Sequence, residues 1–578
     1  MNQKLVHDTL IQRLAALSQL EETTGITFVD RKENEQHWTW GQIWDRAERS
    51  AQTLLSNGVK SGDRVAIILP TSIEFMDSYF GCQRIGAVAI PLYPPVRLGK
   101  LDEYIDKTVA MFQAAQITHL ISNKKTRRIL GQVVQHISKL QTHLQAEKLH
   151  QNDPAEVPFP SADDLAMAQF SSGTTVAPKP VGLTHRQILA NVDAILSHIP
   201  INDGLEQKGC SWLPLYHDMG LIGCIFPALS VNASMILIPP EVFLARPAIW
   251  LRAIARHKCT ISPAPNFAYA LCVERIKDEE LAEHDLSSWW FALNGAEPVS
   301  PSVLRAFSER FAEFGLPKSA ITPVYGLAEA ALAVTFSDPK ANFETHFFNR
   351  QKLEMGTAEA IEKHPNAIEM ASVGIPLPDF NISIRDSSNQ PCAPGQIGKI
   401  FAKGPSIMEG YLDRDVQPIV EGWLDTGDVG FVHQEELFIS GRAKDVIVLR
   451  GANHSPHSIE NALNGIEGIR TGCSAAVGDI TEQGEALIVF AEMRHHRSDL
   501  AEDCGKAITR HTGLKADAII LLEAGTLPRT SSGKIRRREA LRLWKTGELE
   551  PPQNVSPLFL TNALLKSAWG YFRAKTGV

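Results

Sequence analysis

Four short stretches of this chain carry side chains suited to handling a polyanion. Phe170-Ser171-Ser172-Gly173-Thr174-Thr175-Val176-Ala177-Pro178-Lys179 surrounds a glycine with four hydroxyls and then supplies a lysine. A polyphosphate calls for such chemistry: backbone N–H groups on a flexible turn, hydroxyl donors and a cation. The GxxxxGK[ST] pattern of a P-loop is absent, and taken alone the stretch also describes a surface turn. Val324-Tyr325-Gly326-Leu327-Ala328-Glu329 sets an aromatic ring and a carboxylate around a glycine turn. Trp423-Leu424-Asp425-Thr426-Gly427-Asp428 ends in a carboxylate able to accept from both hydroxyls of a ribose. Pro528-Arg529-Thr530-Ser531-Ser532-Gly533-Lys534-Ile535 places Lys534 at the tip of a Gly/Ser loop. Singly, these last three also read as an acidic turn, a capped turn and a solvated basic loop. Their joint occurrence, in this order and spread over the chain, is the informative feature.

The elements that must position them alternate. Leu5, Leu10, Leu14 and Leu17 recur at near-helical spacing and predict an opening amphipathic helix. Val65 to Leu69 is a branched apolar run stopped by Pro70, as in a buried strand. Thr71 to Ile85 reads as the following helix, Ala87 to Pro91 as the next strand, and Met235 to Ile238 as a strand ended by Pro239 and Pro240. Ser300 and Pro301 open a helix whose Val303, Leu304, Phe307, Phe311 and Phe314 share a face that belongs to the core, with Gly315 closing it. Short connections between alternating strands and helices give an α/β fold, with layers and mostly parallel sheets. The segment from about Asp338 to Ala371 is polar and poorly patterned and reads as an insertion or long loop.

At 578 residues the chain is too long for one core. The expected division is a large N-terminal domain over 1–440, a small α+β domain over 441–550 and a C-terminal extension over 551–578. In the extension Phe559, Leu560, Leu564, Leu565, Trp569 and Phe572 form an apolar stripe expected to pack on its own protein, with a docking helix as the alternative. A net charge of -8 gives no general attraction to nucleic acid. The eight cysteines are scattered without a CxxC pair, as buried thiols in a reducing compartment would be. No run is apolar and long enough to span a bilayer, and the N-terminus lacks a signal-peptide core, so a cytoplasmic location is expected.

With these motifs the chain resembles the adenylate-forming superfamily, which includes acyl-CoA synthetases and peptide-synthetase adenylation domains. The resemblance runs from about Gly25 to Lys545. Pro91-Leu92-Tyr93-Pro94-Pro95, Leu213-Pro214-Leu215-Tyr216-His217-Asp218-Met219-Gly220 and the place of the insertion after Glu329 make it most similar to fatty acyl-AMP ligases. The resemblance implies that Ser171, Ser172, Gly173, Thr174, Thr175 and Lys179 grip the phosphates of ATP, and that Glu329 holds Mg2+. Tyr325, within Tyr325-Gly326-Leu327-Ala328, stacks on adenine, and Asn294, Gly295, Ala296 and Glu297 line its edge. By the same resemblance Asp428 would receive the ribose with Arg442 beside it, His217 would lie where acyl chain and phosphate meet, and Lys534 would neutralise the α-phosphate. The family rotates its small domain between steps, and the resemblance makes Lys444 the pivot of a mobile small domain here.

A carboxylate attacking the α-phosphorus of ATP brings an anion to an anion, so catalysis rests on positioning and charge neutralisation. The implied partners are a fatty acid and, for the second step, the phosphopantetheine thiol of an acyl carrier protein. Lys534, Arg536, Arg537, Arg538, Arg542 and Lys545 could dock an acidic carrier or simply form a solvated face. An acyl-CoA ligase and a non-catalytic nucleotide- or acyl-binding module are the rival readings. The second is motivated by Val176 and Pro180, which stand where the family usually has glycine. Valine suits positive φ poorly and proline lacks an N–H, so the phosphate loop is expected to follow another path or donate fewer bonds.

Overall fold

The computed structural model describes residues 7–20, 23–95, 98–154, 156–170, 178–200, 206–414, 417–449, 452–481, 484–530, 533–553 and 556–576. Two large, mostly parallel sheets dominate. In the six-stranded sheet the order is Thr142–Gln145, His119–Ser122, Arg64–Ile68, Val88–Leu92, Leu165–Phe170 and Pro180–Thr184, parallel except for the last pair. Arg64–Ile68 has parallel neighbours on both sides, and Val65 to Ile68 are fully buried, which is why its sequence is apolar without alternation. The nine-stranded sheet has a parallel centre of Ile321–Gly326, Phe291–Asn294, Ile261–Ala264, Lys208–Ser211, Ser234–Leu237 and Gly25–Val29, with antiparallel strands at both edges.

Local signals set the helices between them. Thr9, Thr39 and Thr184 each cap a helix and receive the reciprocal bond from Gln12, Gln42 and Gln187. The helix Leu10–Leu17 buries Leu10, Leu14 and Leu17 (Leu5 lies outside the described residues). Ile73–Arg84 follows the first buried strand, and Pro301–Phe311 buries Leu304, Phe307 and Phe311 before Gly315 ends the turn at φ +88°.

A third sheet of Asn381–Arg385, Gly398–Lys403, Trp423–His433, Ile419–Val420 and Glu436–Arg442 is antiparallel throughout. From Ile447 to Leu549, apolar side chains bury themselves in two clusters of their own, around Ile469–Thr481, Gly484–Met493 and Ala518–Leu522. The polar stretch after Asp338 is more ordered than its sequence suggests. Thr345–Asn349 and Ala367–Ala371 pair as an antiparallel ribbon around the short helix Arg350–Glu354, and Phe348 seats it on Phe431 and Phe438. One large aromatic side chain anchors an otherwise hydrophilic segment there, which periodicity does not register.

The C-terminal helix Pro557–Thr576 corrects the sequence reading in a second way. Its packing stripe is Phe559, Ala563, Ser567 and Tyr571, whereas Leu560, Leu564, Leu565, Trp569 and Phe572 are exposed. Small residues face inward because the backbones approach closely: a Cβ on Gly131 would lie 1.8 Å from the Ser567 carbonyl oxygen. No helix among the described residues is long and apolar enough to cross a membrane.

Candidate active site

The parallel strands of the nine-stranded sheet end at one side, where open α/β sheets place their ligands. Pro263, Leu293, Val324 and Tyr325 at those ends line a cavity with Ala296, Glu329 and the His217–Met219 turn. Thr426 and Arg442 of the antiparallel sheet close another wall, and Lys534 completes it. Residues from positions 195 to 534 thus meet around one space.

Each wall has a local cause. Gly326 lets the chain double back after the strand Ile321–Gly326: a Cβ there would stand 1.8 Å from the Leu332 carbonyl oxygen, while Leu327 N–H donates to that oxygen at 2.8 Å. The turn Ala328–Ala330 that follows presents Glu329. We expect Gly326→Ala to cost about 1–3 kcal/mol, because backbone atoms rather than a flexible side chain must yield. A fall in the denaturant midpoint at unchanged slope would measure it, and an unchanged midpoint would refute the close approach.

Asp428, almost fully buried, ties two walls together. Tyr325 O–H donates to its Oδ2 at 2.8 Å and Arg442 Nε donates to its Oδ1 at 2.9 Å. Asp428 holds the Arg442 guanidinium above its usual range, and burial with the Asp428 charge pushes the Tyr325 phenol well up. A carboxylate has about four acceptor directions, so both oxygens keep capacity for hydroxyl donors. His217 Nδ1 lies 2.5 Å from Asp218 Oδ1, which also accepts from Met219 N–H at 2.7 Å. Burial raises the Asp218 carboxyl, but the charges of His217 and Lys534 and the local hydrogen bonds outweigh it and leave it below its ordinary value.

Lys534 is set by a tight loop: Thr530 N–H donates to the Lys534 carbonyl at 2.8 Å, Lys534 N–H to Thr530 Oγ1 at 3.1 Å, and Gly533 takes φ +88°. Burial, then the neighbouring Arg442 charge, lowers its ammonium pKa, with Asp218, Asp428 and Glu297 opposing. A cation is therefore held, at an electrostatic cost, beside the carboxylates of the cavity.

Other expected positions fall variously. Of the Asn294–Glu297 turn, Ala296 lines the cavity at φ +70°, and Gly295 packs on Val324. Asn294 Nδ2 donates to the Ala264 carbonyl, and Glu297 accepts from Phe267 N–H at 2.9 Å. Ser171, Ser172, Gly173, Thr174, Thr175 and Val176 lie outside the described residues. Lys179 beyond them stands 5.1 Å from the Tyr411 ring centroid. Pro180 needs no unusual path: it opens the edge strand Pro180–Thr184, where proline is tolerated, and its carbonyl accepts from Leu412 N–H at 2.9 Å. The Lys444 carbonyl accepts from Arg538 Nε at 2.9 Å. In the basic run after Lys534, Arg538, Arg542 and Lys545 are exposed, and several of the cations have carboxylate partners. Arg537 pairs with Glu460 and Asp445, Arg542 with Glu539 and Glu548, and Lys545 with Asp479.

Three supporting residues went unread in the sequence. Gln169 Nε2 donates to the Ala331 and Ala328 carbonyls at 3.2 and 3.4 Å, fixing the Glu329 turn from the strand that leads into the Ser/Thr/Gly stretch. Asn191 brackets Ala333 through its carbonyl and N–H at 2.7 and 3.0 Å. Tyr411 O–H donates to Glu329 Oε1 at 2.7 Å. The one available signal was the placement of Gln169 directly before Phe170 and the serines.

The AMP-binding enzyme family model matches residues 18–412. A Caulobacter vibrioides protein assigned provisionally as an acyl-CoA synthetase is 33% identical over 88% of this chain and 90% of its own. The long-chain-fatty-acid–AMP ligase FadD23 of Mycobacterium tuberculosis is 31% identical over 91% of this chain and 94% of its own. A solved structure from work on fatty acyl-adenylate ligases of E. coli and L. pneumophila superposes with a TM-score of 0.87, at 34% identity over 93% of this chain and 98% of that one. This chain belongs to the AMP-binding enzyme family.

Proposed function

We propose that the protein activates a fatty acid as its acyl-adenylate, consuming ATP and releasing pyrophosphate. One observation carries the reading: His217, the pair Tyr325 and Glu329, Arg442 and Lys534, from four separate stretches of the chain, line a single cavity, and Asp428 is bonded to two of them. The relatives named for long-chain fatty acids and for acyl-adenylate support the substrate class.

In this reading the ring of Tyr325 offers its face to adenine, and Asp428 accepts from the ribose hydroxyls. The acid's carboxylate approaches the α-phosphorus from the His217 side. Lys534 neutralises charge on the phosphoryl oxygens as pyrophosphate departs. Among the described residues no group of three His, Cys, Asp or Glu could hold a metal by itself. A lone Glu329 with Tyr411 on one oxygen fits Mg2+, which binds through one or two carboxylates plus substrate phosphates. Mg2+ bound there would withdraw charge from the phosphates. The division at about 440, with the 441–550 domain turning about Lys444 between steps, belongs to the same proposal, and so does transfer to an acyl carrier protein.

Fatty-acid-dependent exchange of pyrophosphate into ATP tests the first step. Exchange with each of several fatty acids, and none without acid, is the expected result; no exchange with any acid would leave the binding-module reading. Supplying coenzyme A or holo-carrier then decides the acceptor. Acyl-carrier formation is expected, and fast acyl-CoA formation without carrier transfer would replace it with the acyl-CoA ligase.

A further inference from the structure

The C-terminal helix Pro557–Thr576 is anchored on one side and exposed to solvent on the other. Ser567 Oγ accepts from Gly131 N–H at 2.8 Å, Tyr571 O–H donates to the Arg127 carbonyl at 2.8 Å, and Phe559 and Ala563 pack on the core of the six-stranded sheet. The opposite face shows Leu565 at 63%, Trp569 at 58% and Phe572 at 52% exposure, with Leu564 and Leu560 beside them. Residues 565, 569 and 572 follow helical spacing and form one strip, on which the Trp569 and Phe572 rings stack at 5.4 Å. Residues 551–578 include Lys566, Arg573 and Lys575 and no acidic residue, in a chain whose net charge is -8. At the Tyr571 end, Lys124, Lys125 and Arg128 are exposed on the segment that the helix lies against.

We propose that this face seats the protein on an anionic membrane surface. A docked helix with Leu, Trp and Phe outward and cations around them matches an interfacial helix, in which apolar side chains enter the headgroup boundary and Lys and Arg reach lipid phosphates. A second copy of the helix offers a poorer occupant, since it would set cations against cations with no carboxylate between them. An acidic carrier must deliver its thiol to the cavity, and no cavity-lining residue comes from this helix or from the 127–143 segment beneath it. The seat would put the enzyme against the phase in which a long-chain acid dissolves; that benefit rests on the proposed function, whereas the seat itself does not.

Full-length protein should float with vesicles of phosphatidylcholine and phosphatidylglycerol, far less with phosphatidylcholine alone, and less as salt is raised. The triple variant Leu565→Gln, Trp569→Gln, Phe572→Gln should lose about tenfold or more in vesicle partitioning. Its thermal midpoint, and its pyrophosphate exchange in detergent solution without vesicles, should be unchanged. Lys566→Gln with Lys575→Gln should weaken the anionic preference. The proposal is overturned if wild-type protein ignores anionic vesicles, or if the triple variant binds them as well as wild type does. It is equally overturned if that variant loses only a dimer or only carrier capture. Exchange and flotation are read separately, so a protein that floats but does not exchange refutes the adenylation reading alone.

Discussion

Lys534→Ala is expected to slow acyl-adenylate formation by about 10²–10³-fold, the scale on which removal of one preorganised electrostatic donor acts. The reaction joins two anions, and Lys534 is a half-buried cation lining the cavity in which they would meet. Its loop is held by bonds from the Lys534 backbone to the Thr530 backbone and hydroxyl that survive truncation of the Lys534 side chain, so the thermal midpoint should hold. The pH dependence carries a second signature. Burial and Arg442 lower the Lys534 pKa, and only the protonated form neutralises phosphate. Activity should therefore be present below that pKa and fall as pH rises through it, at a pH below the ordinary lysine range. Lys534→Arg should move that descending limb upward, because guanidinium stays charged. Pyrophosphate exchange measured across pH reads both effects, and an undiminished rate in the alanine variant would remove Lys534 from the chemistry.

Local grammar made much of the framework legible. The run at Val65 was readable because a strand buried on both faces needs no alternation, and Ser300-Pro301 and Gly315 marked the two ends of a helix, although the Ser300 side chain makes no cap bond there. Tyr325, Asp428 and Lys534 stood out because each sits beside glycine, where the chain turns tightly enough to present a side chain, and Glu329 because it follows Gly326 by three residues. Partners fixed by tertiary distance were hidden. Gln169 and Ala331 are 162 positions apart, and nothing near either residue announces the bond between them. The C-terminal helix misled for a related reason. Hydrophobicity ranks leucine above glycine and serine for burial, but the close backbone approach at Gly131 admits only small side chains such as Ser567, and that turned the leucines outward. The carboxylate partners of the cations after Lys534 were hidden too, because Glu460 and Asp479 come from other elements.

Glu329→Gln should reduce kcat/KM for ATP by about 10²-fold and raise the Mg2+ concentration needed for half-maximal rate. Glutamine keeps the shape and a carbonyl able to accept from Tyr411, so the turn that Gln169 and Met408 also hold should persist. What disappears is the negative charge, the property a hard divalent cation requires of its oxygen ligand. Tyr411→Phe makes the complementary change. It keeps the ring that faces Lys179 and removes only the O–H that orients Glu329, a hydrogen bond to a charged group worth about 1.5–3 kcal/mol. Its expected loss is about tenfold, with the Mg2+ requirement less disturbed, because the carboxylate remains. The two variants together should lose much less than the product of their separate effects, since the tyrosine acts through the glutamate. Equal Mg2+ curves for wild type and Glu329→Gln would separate this carboxylate from the metal and return it to a purely structural place in the turn.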